Sequence, residues 1–350
     1  MSMRVRARSA IRGLTAAAVL MTMALTLSAC GGDDDAAAGG GDGGGGGGKR
    51  LRAAIINVDP VTSGDWEPAT YGAFRRMATK YGFKASNEDG VGYDEAEAVL
   101  SRLAQTNDLV IASSAGYGDA VLKTAPKFPN TFFVVFSNLT STNGLKNVAG
   151  FSSNWNEFGY VSGTVACLAA NGGKIGHVNS EPIPAFTKFA GGMQQAAEDH
   201  CKNGRSDYLQ TWIRSFNDVS KAKQASLQLA NQGATVLVPT CDTAGQGVIE
   251  AAKQKNDKLV MSYVDQSAAA PQNVITSWRF AFDKQFDRIG SLFKADRLKP
   301  KIYEQTFANG GIDVVLPVRN VDPKVAAGVE KVVADLKAGR VTVQKRELEP

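Results

Sequence analysis

Two groups of side chains stand out for chemistry they could share. Trp66, Tyr117, Phe186, Phe189, Trp278 and Phe280 are aromatic, and Asp65, Ser114, Asp119, Glu181, Asp242 and Asp265 are polar or acidic. Aromatic walls stack a flat ring, and carboxylates accept hydrogen bonds from ring N–H, exocyclic N–H and hydroxyl groups, so the set suits a flat, nitrogen-rich small molecule. Each residue also has a plainer role, the aromatics as packing and the aspartates as helix caps. Catalysis has little to build on. His177 falls inside an apolar run and His200 stands beside Cys201, so neither is placed beside a nucleophile. No Gly-x-Ser-x-Gly, HExxH, CxxC or Gly-rich dinucleotide turn is present, and neither an enzyme nor a bound metal or cofactor is expected.

These residues acquire a common position from the elements around them. From Lys49 onward short β-rich runs alternate with amphipathic segments. Strands are predicted at Leu51–Val58, Phe83–Ala85, Leu109–Ala112, Thr131–Phe136, Val148–Phe151, Lys174–Val178, Tyr208–Trp212, Thr235–Val238, Leu259–Ser262 and Val274–Ser277. Helices are predicted at Ala69–Tyr81, Asp94–Gln105, Tyr117–Ala125, Asn156–Ala170, Phe186–His200, Val219–Gln232, Gly245–Lys255, Phe282–Ala295 and Pro323–Ala338. Such alternation means an α/β protein with parallel sheets covered by helices on both faces. Roughly 300 residues exceed one doubly wound domain, so two lobes with a cleft between them are expected. Residues 49–152 and about 281–350 are assigned to lobe 1, and 153–280 to lobe 2. Ligands of open parallel sheets sit beyond the carboxyl ends of the strands. That rule selects the segments 59–66, 113–119, 179–189, 240–244, 263–266 and 278–280, which hold the aromatic and polar residues above.

The ends of the chain carry a different message. Four arginines (Arg4, Arg6, Arg8, Arg12) precede the uncharged stretch Leu14–Leu27, which is too short to span a membrane and suits the core of a signal peptide ending at residue 29. Leu27-Ser28-Ala29-Cys30 resembles the lipobox of bacterial lipoproteins, with Cys30 as the lipidated residue and the extracytoplasmic side of the cell membrane as the location. Residues 31–48 hold eleven glycines and four aspartates and read as a flexible tether reaching roughly 20–25 Å. The formal charge of +5 then loses its apparent meaning. A chain starting at Cys30 lacks the four leader arginines and is only +1, which gives no footprint for nucleic acid. Of the other cysteines, Cys167 and Cys201 lie at the ends of helices flanking one strand. They either form a disulfide or stay, with Cys241, as three buried thiols.

Several local patterns stand in order along residues 51 to 345: Val61-Thr62-Ser63-Gly64-Asp65-Trp66; Gly116-Tyr117-Gly118-Asp119 with Lys127-Phe128-Pro129; Glu157 with Tyr160-Val161-Ser162-Gly163; Lys174-Ile175-Gly176 with Ile183-Pro184 and Phe189; Phe216-Asn217-Asp218 with Gly233-Ala234; and Val264-Asp265-Gln266 with Thr276-Ser277. Together they resemble the basic membrane protein (BMP) family of lipid-anchored purine and purine-nucleoside receptors of ABC importers, which have the type I periplasmic-binding-protein fold. The resemblance implies that Trp66 and Phe189 are stacking walls and that Asp65 and Asp265 accept hydrogen bonds from the ligand. It further implies a monomer that delivers a purine base or nucleoside to a permease and ATPase complex. One departure bears on the ligand: nucleoside-binding members carry a lysine after the Thr-Ser pair, where this chain has Trp278-Arg279-Phe280. A ligand sensor feeding a membrane signalling partner, or an exported nucleoside-acting enzyme, is the alternative.

Overall fold

The computed structural model describes residues 50–137 and 139–350; the expected signal peptide, the lipidated Cys30 and the tether lie outside the described residues. The first sheet is built from β1 (Arg52–Ile56), β2 (Lys84–Glu88), β3 (Leu109–Ala112), β4 (Phe132–Ser137), β5 (Val148–Ser153) and the late strand β11 (Ile302–Gln305), in the order β11-β5-β4-β3-β1-β2. All its pairings are parallel. The second contains β6 (Lys174–Asn179), β7 (Tyr208–Trp212), β8 (Ala234–Thr240), β9 (Lys258–Met261), β10 (Val274–Phe280) and β12 (Ile312–Val314), in the order β12-β10-β9-β8-β6-β7. Only its β10–β12 edge is antiparallel. Two doubly wound α/β sheets are thus present, as the strand and helix alternation requires.

Connecting helices are α1 (Trp66–Tyr81), α2 (Ala96–Ala104), α3 (Gly118–Thr124), α4 (Trp155–Ala170), α5 (Pro184–His200), α6 (Val219–Asn231), α7 (Gly245–Lys255), α8 (Phe282–Lys294) and α9 (Pro323–Lys337). Among the described residues no helix is long and apolar enough to cross a membrane. Central strands are apolar without alternation, as β1 (RAAII) and β3 (LVIA) show, because both faces of a parallel sheet are covered. Helix α1 stops where Gly82 takes φ 72°, a left-handed cap that a side chain would strain.

The return of the chain corrects one expectation. Residues 281–350 do not join the first lobe as a block. Strand β11 pairs with β5, but β12 pairs with β10 of the second sheet. The tail follows, with Leu348 N–H bonded to Thr187 O on α5 and the Gln195 side chain bridging Thr342 O and Gln344 N–H. Where the chain passes between the sheets, the passages are laced together. Asn154 N–H donates to Gln305 O, Phe307 N–H to the Glu157 carboxylate at 2.7 Å, and Ala281 N–H to Gly311 O.

Helices α4 and α5 cover the second sheet at a separation that only glycine permits. A Cβ at Gly159 would collide with the Phe189 carbonyl, and one at Gly192 with the Asn156 carbonyl. Gly192→Ala is therefore expected to cost about 1–3 kcal/mol in denaturant unfolding. Gly92→Ala, where nothing lies within 4 Å, serves as the neutral control. Farther along the same pair Cys167 and Cys201 are joined by a disulfide, with Cα atoms 4.8 Å apart, and Cys241 is a buried free thiol.

Candidate functional site

A cavity of about 430 Å³ opens where the carboxyl ends of the two sheets face each other. From the first sheet come Val58, Asp59, Ser63, Gly64, Trp66 and Glu67 after β1, Tyr93 after β2, and Ser114 and Ala115 after β3. The second sheet supplies Ile183, Ala185 and Phe186 after β6, Phe216 and Asn217 after β7, Asp242 and Thr243 after β8, and Tyr263 after β9. Trp155, opening the crossover helix α4, completes the wall.

Local backbone geometry aims these groups. Asp65 is the N-cap of α1 yet makes no side-chain capping bond, which leaves its carboxylate uncommitted at the helix start. The β1 loop is tied to the β2 end by Val61 N–H donating to Asp89 at 2.9 Å. After β8 and β9 the chain turns through left-handed residues, Asp242 at φ 46° and Tyr263 at φ 71°. For a bulky tyrosine that conformation is strained by about 1–3 kcal/mol, and such strain concentrates at ligand clamps. Both turned side chains line the cavity.

Aromatic rings form the floor in two layers. Trp66 meets Phe280 at 4.9 Å and Phe282 at 5.2 Å, both edge to face, and reaches Tyr263 at 6.1 Å. Trp155 meets Phe186 at 5.6 Å and Trp278 at 5.9 Å. Of the residues expected in the site, Trp66, Ser114 and Asp242 line the cavity, as does Phe186. Asp65 is half-buried just behind the wall. The remaining seven stand elsewhere, Asp119 and Glu181 outside the cavity lining. Trp278 and Phe280 do not follow a strand, because β10 runs on to Phe280 against β12; they lie beneath Tyr263 and Trp66. Phe189 is buried beneath α5 between His177 at 5.1 Å and Trp278 at 5.4 Å. Tyr117 spends its hydroxyl on Val91 O at 2.7 Å and props the Tyr93 loop. Asp265 points to the rim, where Ser267 N–H and then Arg319 hold its carboxyl below the usual range.

The wall also contains residues the sequence did not single out. Asp59, Tyr263 and Phe216-Asn217 all follow strands, so the strand-end rule reaches each of them. Glu67 lies one residue inside the helix, and Tyr93 follows a polar edge strand; position alone marked neither. Glu67 is only 6% exposed, and burial followed by the charges of Asp59 and Asp242 pushes its carboxyl up to about 7. Asp242 is pushed up to about 6 by burial and by Asp65 and Asp59, and burial also raises Asp65. Neither histidine shares in this. His177 is enclosed in β6 between the Tyr208 and Thr240 hydroxyls, and burial lowers its pKa to about 3. His200 pairs with the Tyr160 hydroxyl at 3.0 Å. The Cys241 thiol is pushed up by burial, away from nucleophilic use.

Such a cleft turns aromatic faces and carboxylates from both sheets toward one cavity. Residues 51–286 match the model of the family described as ABC transporter substrate-binding protein PnrA-like. The chain belongs to that family. Proteins of the PnrA-like family bind solutes, and among curated relatives a purine-binding protein of Brucella abortus is 24% identical over 233 residues, 65% of each chain. Basic membrane protein D of Borreliella burgdorferi is 28% identical over 134 residues, 38% of this chain and 39% of that one. The aligned region thus spans less than two thirds of either relative. A solute-binding protein from Conexibacter woesei superposes with TM-score 0.70 at 22% identity, covering 84% of this chain and 99% of that one. A LacI-family regulator from Enterococcus faecium, with ribose bound, gives TM-score 0.60 at 13% identity, covering 78% and 99%. These likenesses establish the two-lobed periplasmic-binding-protein fold of this PnrA-like chain.

Proposed function

We propose that this PnrA-like protein is a lipid-anchored receptor on the extracytoplasmic side of the cell membrane. It captures a purine base or nucleoside by closing its two lobes and passes it to an ABC permease and ATPase complex. One observation carries the reading: aromatic faces and carboxylates from both sheets converge on a single cavity of about 430 Å³, a size suited to a fused ring. Stacking on Trp66, Trp155, Phe186 and Tyr263 supplies affinity, and Asp59, Glu67 and Asp242 accept N–H bonds. Contacts to both lobes favour the closed state over the open one. The missing lysine after Thr276-Ser277 takes away a cationic contact, which moves the preference from nucleoside toward free base. The Brucella relative's name as a purine-binding protein supports the ring class.

Isothermal titration with adenine, guanosine, inosine and xanthine tests this. Micromolar or tighter binding of at least one is expected, weakened about tenfold or more by Trp66→Ala. Absence of heat with all four removes the purine ligand.

A further inference from the structure

We infer that the cleft takes a ligand carrying a positive charge, and that this charge is what lets the two lobes close over it. The inference rests on the receptor reading above but not on the ligand being a purine.

The residues lining the cavity include Asp59, Glu67 and Asp242, and no Lys, Arg or His is among them. Asp65 adds a fourth carboxylate within electrostatic reach of Asp242. Other charged and titratable groups acting on Glu67, Asp242 and the adjoining Tyr263 are Asp59, Asp65 and Cys241; none is a cation. The backbone N–H groups of Glu67 and Asp59 lower the Glu67 carboxyl and offset the burial only in part. Among the described residues no group of three or more acidic, histidine or cysteine side chains is arranged to hold a metal ion, so the geometry favours an extended organic cation.

The carboxylates are divided between the lobes. Asp59, Asp65 and Glu67 follow β1 in the first sheet, and Asp242 follows β8 in the second. A methyl group added at Gly64 would stand 3.7 Å from Asp242 Oδ1, so the two acidic loops nearly touch. Like charges brought together in a desolvated cleft repel, and the empty protein is driven open. A cation between them converts that repulsion into attraction from both sides, which is the differential contact that lobe closure requires.

The remaining wall fits the same ligand. Trp66, Tyr93, Trp155, Phe186, Phe216 and Tyr263 line the cavity, and ring faces attract a cation that has shed its water. Trp155, at 4% exposure, keeps an indole N–H without an acceptor among the described residues. That N–H is open to an acceptor atom, which points to a heteroaromatic cation rather than a simple ammonium ion. Anionic ligands such as nucleotides are excluded by the same charges.

The test is isothermal titration at pH 8 with two matched pairs: 1-methyladenosine against adenosine, and 1-methylnicotinamide against nicotinamide. At least one cation is expected to bind tenfold or more tightly than its neutral partner and to reduce the radius of gyration in solution scattering. In the Asp242→Asn, Glu67→Gln double variant the preference falls to parity while circular dichroism stays unchanged. A neutral partner binding as tightly as its cation, silence from both cations, or a preference that survives in the double variant overturns the inference. Binding of 1-methylnicotinamide with silence from both purines, along with the four purines above, upholds the charge and removes the purine.

Discussion

Replacing Glu67 by glutamine is expected to raise the melting temperature at pH 8 by roughly 3–5 °C and to raise it far less at pH 5. Burial and the neighbouring Asp59 and Asp242 lift the Glu67 carboxyl from 4.5 to about 7 in the folded chain. A group whose folded pKa is raised contributes stability that is fully present below the unfolded value and is lost as pH rises through the folded one. For Glu67 that window runs from about 4.5 to about 7, and the cost above it is about 2–3 kcal/mol. Glutamine keeps the volume and removes the charge, so it restores this stability where the wild-type carboxylate is ionised. Asp242, raised to about 6, acts in the same direction. His177 acts in the opposite direction: its pKa is lowered from 6.5 to about 3, so its buried neutral ring costs stability as pH falls below 6.5. Thermal melts of wild type and variant between pH 5 and pH 8 check the sign, and an equal gain at both ends would show that Glu67 is not held under electrostatic stress. A stabilising substitution in a binding cleft is the expected mark of residues retained for a ligand at the expense of the fold.

Removing the disulfide is expected to have the largest effect on stability. Cys167 and Cys201 are 34 residues apart, and opening a loop of that length returns about 3–4 kcal/mol of chain entropy to the unfolded state. The Cys167→Ser, Cys201→Ser double variant should lose that amount in guanidinium unfolding and melt roughly 5–6 °C lower. The bond fastens the last turn of α4 to the end of α5, in a helix pair already in close contact at Gly159 and Gly192. Ligand affinity should change little, because neither cysteine lines the cavity. Cys241 is buried and separate, so its thiol should stay unreactive toward alkylating reagents in the folded protein.

How far the site was legible depended on which interaction set each position. Trp66, Ser114 and Asp242 line the cavity because each follows a central strand whose apolar run ends visibly, and a residue beyond such a strand has nowhere to go but the cleft. Trp278 and Phe280 fell on the wrong side of that boundary. Their strand is prolonged by β12, three residues long at the sheet edge, and nothing in Ile312-Asp313-Val314 announces a partner 32 residues away from Phe280. Tyr263 reaches the cavity through a left-handed turn that runs against the local preference of a tyrosine and that tertiary packing imposes.

By itself the sequence determined the α/β class, the two-sheet architecture and the acidic, aromatic character of the strand ends, since apolar periodicity and the strand-end rule are local. It left the cysteines open between a Cys167–Cys201 bond and three buried thiols. Only the tertiary structure decided that β11 and β12 part company between the sheets, and that the pairing of Cys167 with Cys201 is made. It alone brought Glu67 and Asp242, 175 positions apart in the chain, to face one cavity. Those outcomes depend on contacts between distant segments. The charge of a cleft is a property of such contacts, and no count along the chain contains it.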